Sequence, residues 1–528
     1  MIRPALAVAT VGCLALTACT GSAKGGGSDR LAHGGTFVTM INTDPGNLDP
    51  QRAPDVVTTL LASFAYDSLI NLDENGNPVS QLASKWTSTP TSATFTLRDD
   101  VTCTDGAKLT ASLVKANFDY IKKPSSESPI IGSQLPSADY TTTADDATRT
   151  FTIKLKQPYS FLVAGAGLVP IVCAKGVANR KRLAHGVDGT GPFTLTQSVA
   201  GDHYTFTTRK DYKWGPNGAT TATDGFPDKV TFKVVQNGTT AVNLFLTGQL
   251  NAIDVAGVDH KRLAGRGYME IKSPGGPVDL FFNQAKGHPG TDPDVRRALA
   301  MAVDLPQLIK VVTEGSGTAP NDLEVNPPKP CRIPTVPGNL PAHDVEQAKA
   351  LLDKAGWHAA GDGVRTKGGD RLALKLLYVG GTPAVDAGME LVRDWWKSVG
   401  ADVTLKGIGG NAVSQILFTN GGGWDVGALG IALSYPSEVV QFVSGAEPPE
   451  GQNFSAIHNS DYDRMIHEAG KAVGASACQA WADAEKRLFE QVNLLPVSVT
   501  TAYSYGNKAR YHFGIDGIDP TSIRLLAG

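Results

Sequence analysis

Beyond residue 16 the chain has no apolar run approaching the ~18 residues that a membrane-spanning helix requires. It also lacks the GxxxxGK[ST] phosphate loop, the HExxH zinc helix and the GxSxG nucleophile elbow, so the common nucleotide-hydrolase, metalloprotease and esterase chemistries have no sequence support. Charge of one sign is missing too. Lys and Arg number 48 against 51 Asp and Glu, a formal net charge of −3, which supplies no basic field for nucleic acid. Cysteine is scarce, at six in 528 residues, and no two stand as CxxC, which excludes the usual zinc-knuckle and thioredoxin-like spacings. The ten histidines are scattered, and no cofactor or metal is expected. What is plentiful is core material. Hydrophobic residues are 41% and charged residues 19%, a balance that buries large cores rather than staying disordered, over a length that suggests more than one domain.

The N-terminus reads as a targeting segment. Arg3 gives a positive start, Ala5 to Leu16 an apolar stretch, and Leu16-Thr17-Ala18-Cys19 resembles the bacterial lipobox. Residues 1–18 are then a signal peptide, and Cys19 is the lipidated new N-terminus. Residues 19–34, with Gly25-Gly26-Gly27-Ser28, form a flexible tether. Such a protein is extracytoplasmic and held to the cell membrane by its lipid. Cys103, Cys173, Cys331 and Cys478 remain, an even set that favours disulfides in an oxidising compartment, with three pairings open.

Along the chain, helix and strand signals alternate, which makes the class α/β. Gly35 to Met40 and Phe95 to Arg98 read as strands. Thr110 reads as the N-cap of a helix to Lys122 that buries Leu113, Phe118 and Ile121. Val278 to Asn283 is a strong strand, and Leu495 to Thr501 a second. Helices are expected over Asp294 to Val303, Asp344 to Ala355 with Gly356 as C-cap, Met389 to Val399, Tyr462 to Ala472 and Ala480 to Val492. Two motifs are set aside. Ser112-Leu113-Val114-Lys115 matches SxxK but has no SDN or KTG companion, and Asp73-Glu74-Asn75-Gly76-Asn77 lacks the distal glutamate of a calcium loop. Arg296 and Asp304 read as helix-face ion-pair residues, and Trp214 and Trp357 as core anchors.

Fragments in a fixed order carry a resemblance. They are Leu48-Asp49-Pro50, Tyr66-Asp67-Ser68-Leu69, Phe95 to Val101 with Thr104-Asp105-Gly106, Gly189-Thr190-Gly191-Pro192-Phe193, Tyr212-Lys213-Trp214, Gly248 to Asp254, Phe282-Asn283, Asp294 to Leu299 and Ala348 to Trp357. Together they resemble the extracellular solute-binding proteins of family 5, the peptide/nickel-type binding subunits of ABC importers. The resemblance implies a two-lobed, periplasmic-binding-protein-like (type II, cluster C) fold with an extra subdomain on the first lobe. The lobes would be residues 35–69, 175–276 and 492–528 for lobe I, 70–174 for the extra subdomain and 277–491 for lobe II. Pairing within those units gives Cys103–Cys173 and Cys331–Cys478. The implied partners are a peptide or other small solute, an ABC permease and ATPase, and the membrane through the lipid. A monomer that is not an enzyme and does not bind nucleic acid is expected.

Asn47, Tyr66, Asn283, Trp424, Ser434 and Tyr435 are the candidate cleft residues. Many relatives carry an Asp-Tyr-Pro-Asp-Pro-like segment whose first Asp pairs with a ligand amino group. Here the matching residues are Ser434-Tyr435-Pro436-Ser437-Glu438, and serine cannot supply the charge a dry ammonium requires. Amine-free ligands therefore rise in rank. Two other classes stand beside import: a signal-peptide receptor or envelope chaperone of the same fold, and a secreted hydrolase, against which the missing nucleophile constellation argues.

Overall fold

The computed structural model describes residues 30–52, 55–255, 257–419 and 422–527. The signal peptide, Cys19 and most of the tether lie outside these residues.

Three larger sheets organise the chain. The first is four-stranded, in the order Thr36–Ile41, Lys229–Val234, His203–Thr208, Phe193–Val199; its first pair is parallel and the rest antiparallel. The helix Val56–Ala65 packs on it through Phe64, whose ring lies 4.9 Å from Phe232 and 5.5 Å from Phe193. The second is an antiparallel sheet of Ala83–Thr89, Ser92–Leu97, Thr150–Leu155 and Tyr140–Asp145. Its alternating Ala93, Phe95 and Leu97 are buried beneath the helix Ala111–Ile121. Thr110 caps that helix, its hydroxyl accepting from the Leu113 N–H at 3.1 Å. Phe118 and Ile121 are buried as expected, whereas Val114 and Asn117 rather than Leu113 complete the inner face.

The third sheet has six strands, in the order Ala252–Val255, Leu494–Gly506, Met269–Phe282, Val426–Leu429, Ala373–Val379, Asp402–Ile408. Its two central strands are long, 13 and 14 residues, and antiparallel. At one end Tyr503 to Gly506 pair with Ala252–Val255, next to the first sheet. At the other end Asp279 to Phe282 pair with Val426–Leu429. Between these ends the register slips at Pro274/Pro277 and again at Val278/Asp279. Two strands thus cross from one unit to the other, and the ladder is interrupted in the middle of the crossing, where prolines donate no N–H.

Several elements exceed their sequence signal. The Val278 strand begins at Met269, and the Met389 helix begins at Pro383. Likewise the Ala480 helix begins at Gly474. Contrary to expectation, neither Arg296 nor Asp304 makes a helix-face ion pair among the described residues. Buried Arg296 donates to the carbonyls of Val492, Gly290 and Gln491, and Asp304 caps the next helix by accepting from Gln307 N–H. A guanidinium's five donors suit it to such carbonyl clusters. Trp214 and Trp357 are buried. Asp73 accepts from the N–H groups of Asn75 and Asn77 and closes a turn. Lys115 of the SxxK match pairs with Asp119 on its own helix. Disulfides join Cys103 to Cys173 and Cys331 to Cys478. Among the described residues no helix is long and apolar enough to cross a membrane.

Candidate functional site

Three of the quoted fragments meet at Asp67. Its carboxylate accepts from Gln81 Nε2, Tyr212 OH, Thr190 Oγ1 and Trp214 Nε1, at 2.8–3.0 Å. Burial pushes the carboxyl up against the pull of these donors. Gly189 and Gly191 lie against the Ala65 carbonyl, where a methyl group would overlap it. This knot holds the end of helix Val56–Ala65, and with it Tyr66 and the preceding turn. Tyr66 is buried, its hydroxyl accepts from the Asp188 N–H at 3.1 Å, and burial raises its pKa. Asn47 is half-buried and folds its own turn, accepting from Asp49 N–H. Beneath it Arg180 pairs with Asp49 and Gln51 and lies 3.8 Å over the Tyr120 ring.

Asn283 and Trp424 come together in the other unit. The Asn283 amide donates to the Trp424 carbonyl at 3.1 Å, and its own Oδ1 accepts from Ala285 N–H. Trp424 is buried against Phe454.

Ser434 and Tyr435 form a third group. Both of their backbone N–H groups donate to Glu438 Oε2, at 2.7 and 3.1 Å. Glu438 is therefore committed to capping its own turn, and burial raises its carboxyl against those two donors. Ser434 stays half-buried. Tyr435 is buried with a hydroxyl that has no partner among the described residues, and its ring lies 5.2 Å from that of Phe161.

That last contact belongs to a seam the sequence did not reveal. Ser160 donates to the Ala469 carbonyl at 2.6 Å and accepts from Trp481 Nε1 at 3.1 Å. Phe161 packs on Trp481, and Tyr159 OH meets Ser437 Oγ at 3.3 Å. A cavity of about 450 Å³ opens beside the seam, between Tyr159 and Leu135 on one side and Glu438, Ile466 and Trp481 on the other. The residues of the second sheet's unit thus touch those around Ser434 directly.

One further group stands out on the crossing strand. Asp279 is 4% exposed and lies between Leu429 and Pro496 in the sheet. Among the described residues it is in no ion pair, and burial, opposed by the Ile431 N–H, pushes its pKa up to about 8. A signal for it existed in the sequence: a lone charge within Val278-Asp279-Leu280-Phe281-Phe282. Among the described residues no cluster of His, Cys, Asp and Glu could hold a metal ion.

Two units joined by a pair of crossing strands, closing on each other at a seam, define a solute-binding protein of the cleft-closing kind. The sequence profile described as Bacterial extracellular solute-binding proteins, family 5 Middle matches residues 77–448, and the chain belongs to that family. Its members are binding proteins rather than enzymes, and this chain is the solute-capturing component of an ABC importer. The periplasmic murein peptide-binding protein MppA of Escherichia coli is 26% identical over 90% of this chain and 89% of its own length. The nickel-binding periplasmic protein of the same organism is 28% identical over 65% of this chain and 66% of its own. A substrate binding protein from Microbacterium hydrocarbonoxydans, solved with 4-hydroxybenzoate hydrazide, superposes with a TM-score of 0.72 at 24% identity, over 93% of this chain and 99% of that one. This last likeness speaks to the fold.

Proposed function

We propose that this chain captures a small organic solute or peptide between two lobes, outside the membrane and tethered by lipid on Cys19, and hands it to a permease. The observation that carries this is the interrupted crossing of Met269–Phe282 and Leu494–Gly506. Lobe I takes 35–69, 175–276 and 492–528, the extra subdomain 70–174, and lobe II 277–491. In support, the first sheet draws all its strands from the first set, the second sheet from 70–174, and each disulfide stays within one unit. Neither disulfide then restrains the hinge.

The cleft wall is proposed at the Asn47 turn on one side and at Ser434 and Tyr435 on the other. Tyr66, Asn283 and Trp424 line it from behind, holding those surfaces through the contacts described. Solute contacting both lobes favours the closed state because only that state offers both sets of contacts. No bond is made or broken, and a micromolar complex needs about 8 kcal/mol. Relatives named for murein peptide, nickel and glutathione show how widely the cargo varies on this fold. Native mass spectrometry of gently purified protein tests the reading. A co-purified small molecule in one-to-one ratio is expected; a chain that carries nothing and is stabilised by no solute in a broad screen contradicts it.

A further inference from the structure

Residues 318–336 touch four separate parts of the molecule. Thr318 and Val499 of the crossing strand exchange both backbone hydrogen bonds, at 3.0 and 2.9 Å. The Asn326 N–H donates to the Leu433 carbonyl, one residue before Ser434 at the proposed cleft wall. Cys331 is joined to Cys478. The turn from Asp73 to Asn77, in the second sheet's unit, rests on the same loop. Gly76 packs on the backbone of Lys329 and Pro330 so closely that a methyl group would overlap it, and Arg332 donates to the Glu74 carbonyl at 2.6 Å.

Lys329 leads from that contact into a buried group of acids. Its ammonium donates to both Asp322 oxygens at 2.6 Å and to the Glu324 carbonyl at 2.8 Å. The side chains of Glu324 and Glu485, each 3% exposed, hydrogen-bond one another. Two ionised carboxylates have only acceptors, so that bond requires a proton on one of them. Glu485 already accepts from the Leu323 N–H at 3.1 Å and from the Thr335 hydroxyl, which places the proton on Glu324. Glu324 Oε1 and the buried Tyr462 hydroxyl near the pair have no partner among the described residues. With Lys329 committed to Asp322, losing the proton leaves two like charges where little water reaches.

We propose that Glu324 and Glu485 form a proton-held latch: their shared proton favours the closed arrangement, with the Asp73–Asn77 turn seated on loop 318–336, and its loss favours the open one. The proposal rests on the two-lobe reading. Lifting the turn off the loop admits water to the acids, and water favours the ionised form. The closed state therefore holds the proton more tightly than the open state, and by linkage the proton favours closure. The charged and titratable groups facing the pair are Asp322 and Lys329 of the same loop and Tyr462 of helix Ser460–Ala469. Burial, the Glu485 carboxylate and Asp322 all strengthen the hold on the Glu324 proton, and Lys329 opposes them. A closed-state pKa above the ordinary carboxyl range means the proton's contribution is complete at acid pH and lost as pH rises through that raised value.

The test uses the full chain without solute, spin-labelled at Lys210→Cys and Lys397→Cys, and reads the distance distribution from pH 5 to pH 9. Circular dichroism at each pH verifies that the chain stays folded. The parent chain should move toward longer distances as pH rises. Its closed-to-open ratio should fall about tenfold for each pH unit over which only the closed state keeps the proton. Glu324→Gln keeps a donor toward Glu485 but has no proton to lose, and it should stay at the acid-pH distribution throughout. Glu485→Gln should remove the pH response independently. Arg332→Ala cuts a contact between loop and turn and leaves the acids in place; it should move the whole series toward the open state and keep the pH response. A parent distribution that ignores pH, or a response that survives both glutamine variants, overturns the latch. Labels that draw together on adding solute yet ignore pH overturn the latch and leave solute capture standing.

Discussion

The indole N–H of Trp481 donates to Ser160 Oγ at 3.1 Å, and the same hydroxyl donates onward to the Ala469 carbonyl, so one serine holds the two helices Ser460–Ala469 and Gly474–Glu490. These bonds, with Phe161 between Tyr435 and Trp481, close the seam. Ser160→Ala removes both. A neutral hydrogen bond is worth about 1 kcal/mol, so each lost bond shifts the closed-to-open ratio about fivefold. Small-angle scattering should show a larger radius of gyration for the ligand-free variant than for the parent chain, with unchanged circular dichroism.

Asp67 gathers four side-chain donors, two of them aromatic side chains. Asp67→Asn turns an acceptor toward those donors into a group that itself donates. The expected loss is about 3 kcal/mol, read as a lower midpoint in urea unfolding. An unchanged midpoint would mean the knot is replaceable by water.

Each disulfide should stabilise its own unit and leave the hinge free. Cys331→Ser with Cys478→Ser should cost about 2–5 kcal/mol of stability. Solute affinity, measured below the variant's melting range, should stay within about twofold of the parent.

Glu324 and Glu485 are buried together, with Glu485 accepting from the Leu323 N–H and from Thr335 Oγ1. Burial and the neighbouring carboxylate hold the Glu324 proton well above the usual carboxylate range. A raised folded-state pKa means stability is complete below the unfolded value and falls as pH rises through the folded one. Glu324→Gln copies the protonated form. It should match the parent near pH 5 and melt higher at pH 9, in a thermal-shift series across that range.

Local signals were legible where the physics is local. Thr110 with Phe118 and Ile121, and Asp344 with Gly356 at φ +86°, announced their helices through caps and spacing. The crossing strand extends N-terminally beyond Val278 to Met269 through Pro274-Gly275-Gly276-Pro277, residues of low strand propensity, because they lie along the long partner Leu494–Gly506. The role of Asp67 has no local signature, since its donors lie 14 to 147 residues away in sequence. The Ser160–Trp481 contact spans 321 residues and has no sequence signature at all. Asp279 was visible as a lone charge in an apolar run, but its missing counter-ion is a fact of packing. Ser434 and Tyr435 are marked only by resemblance to the family segment, and the commitment of Glu438 to their N–H groups is a feature of the folded turn.

The central claim is that solute binding closes two lobes about the interrupted crossing strands. Spin labels at exposed Lys210 and Lys397, one on each proposed lobe, report it through their distance distribution, with and without a solute found by native mass spectrometry. The account predicts a broad distribution that becomes shorter and narrower when solute is added, and that stays broad for Ser160→Ala alone. A solute that binds one-to-one while the distribution does not change would contradict it.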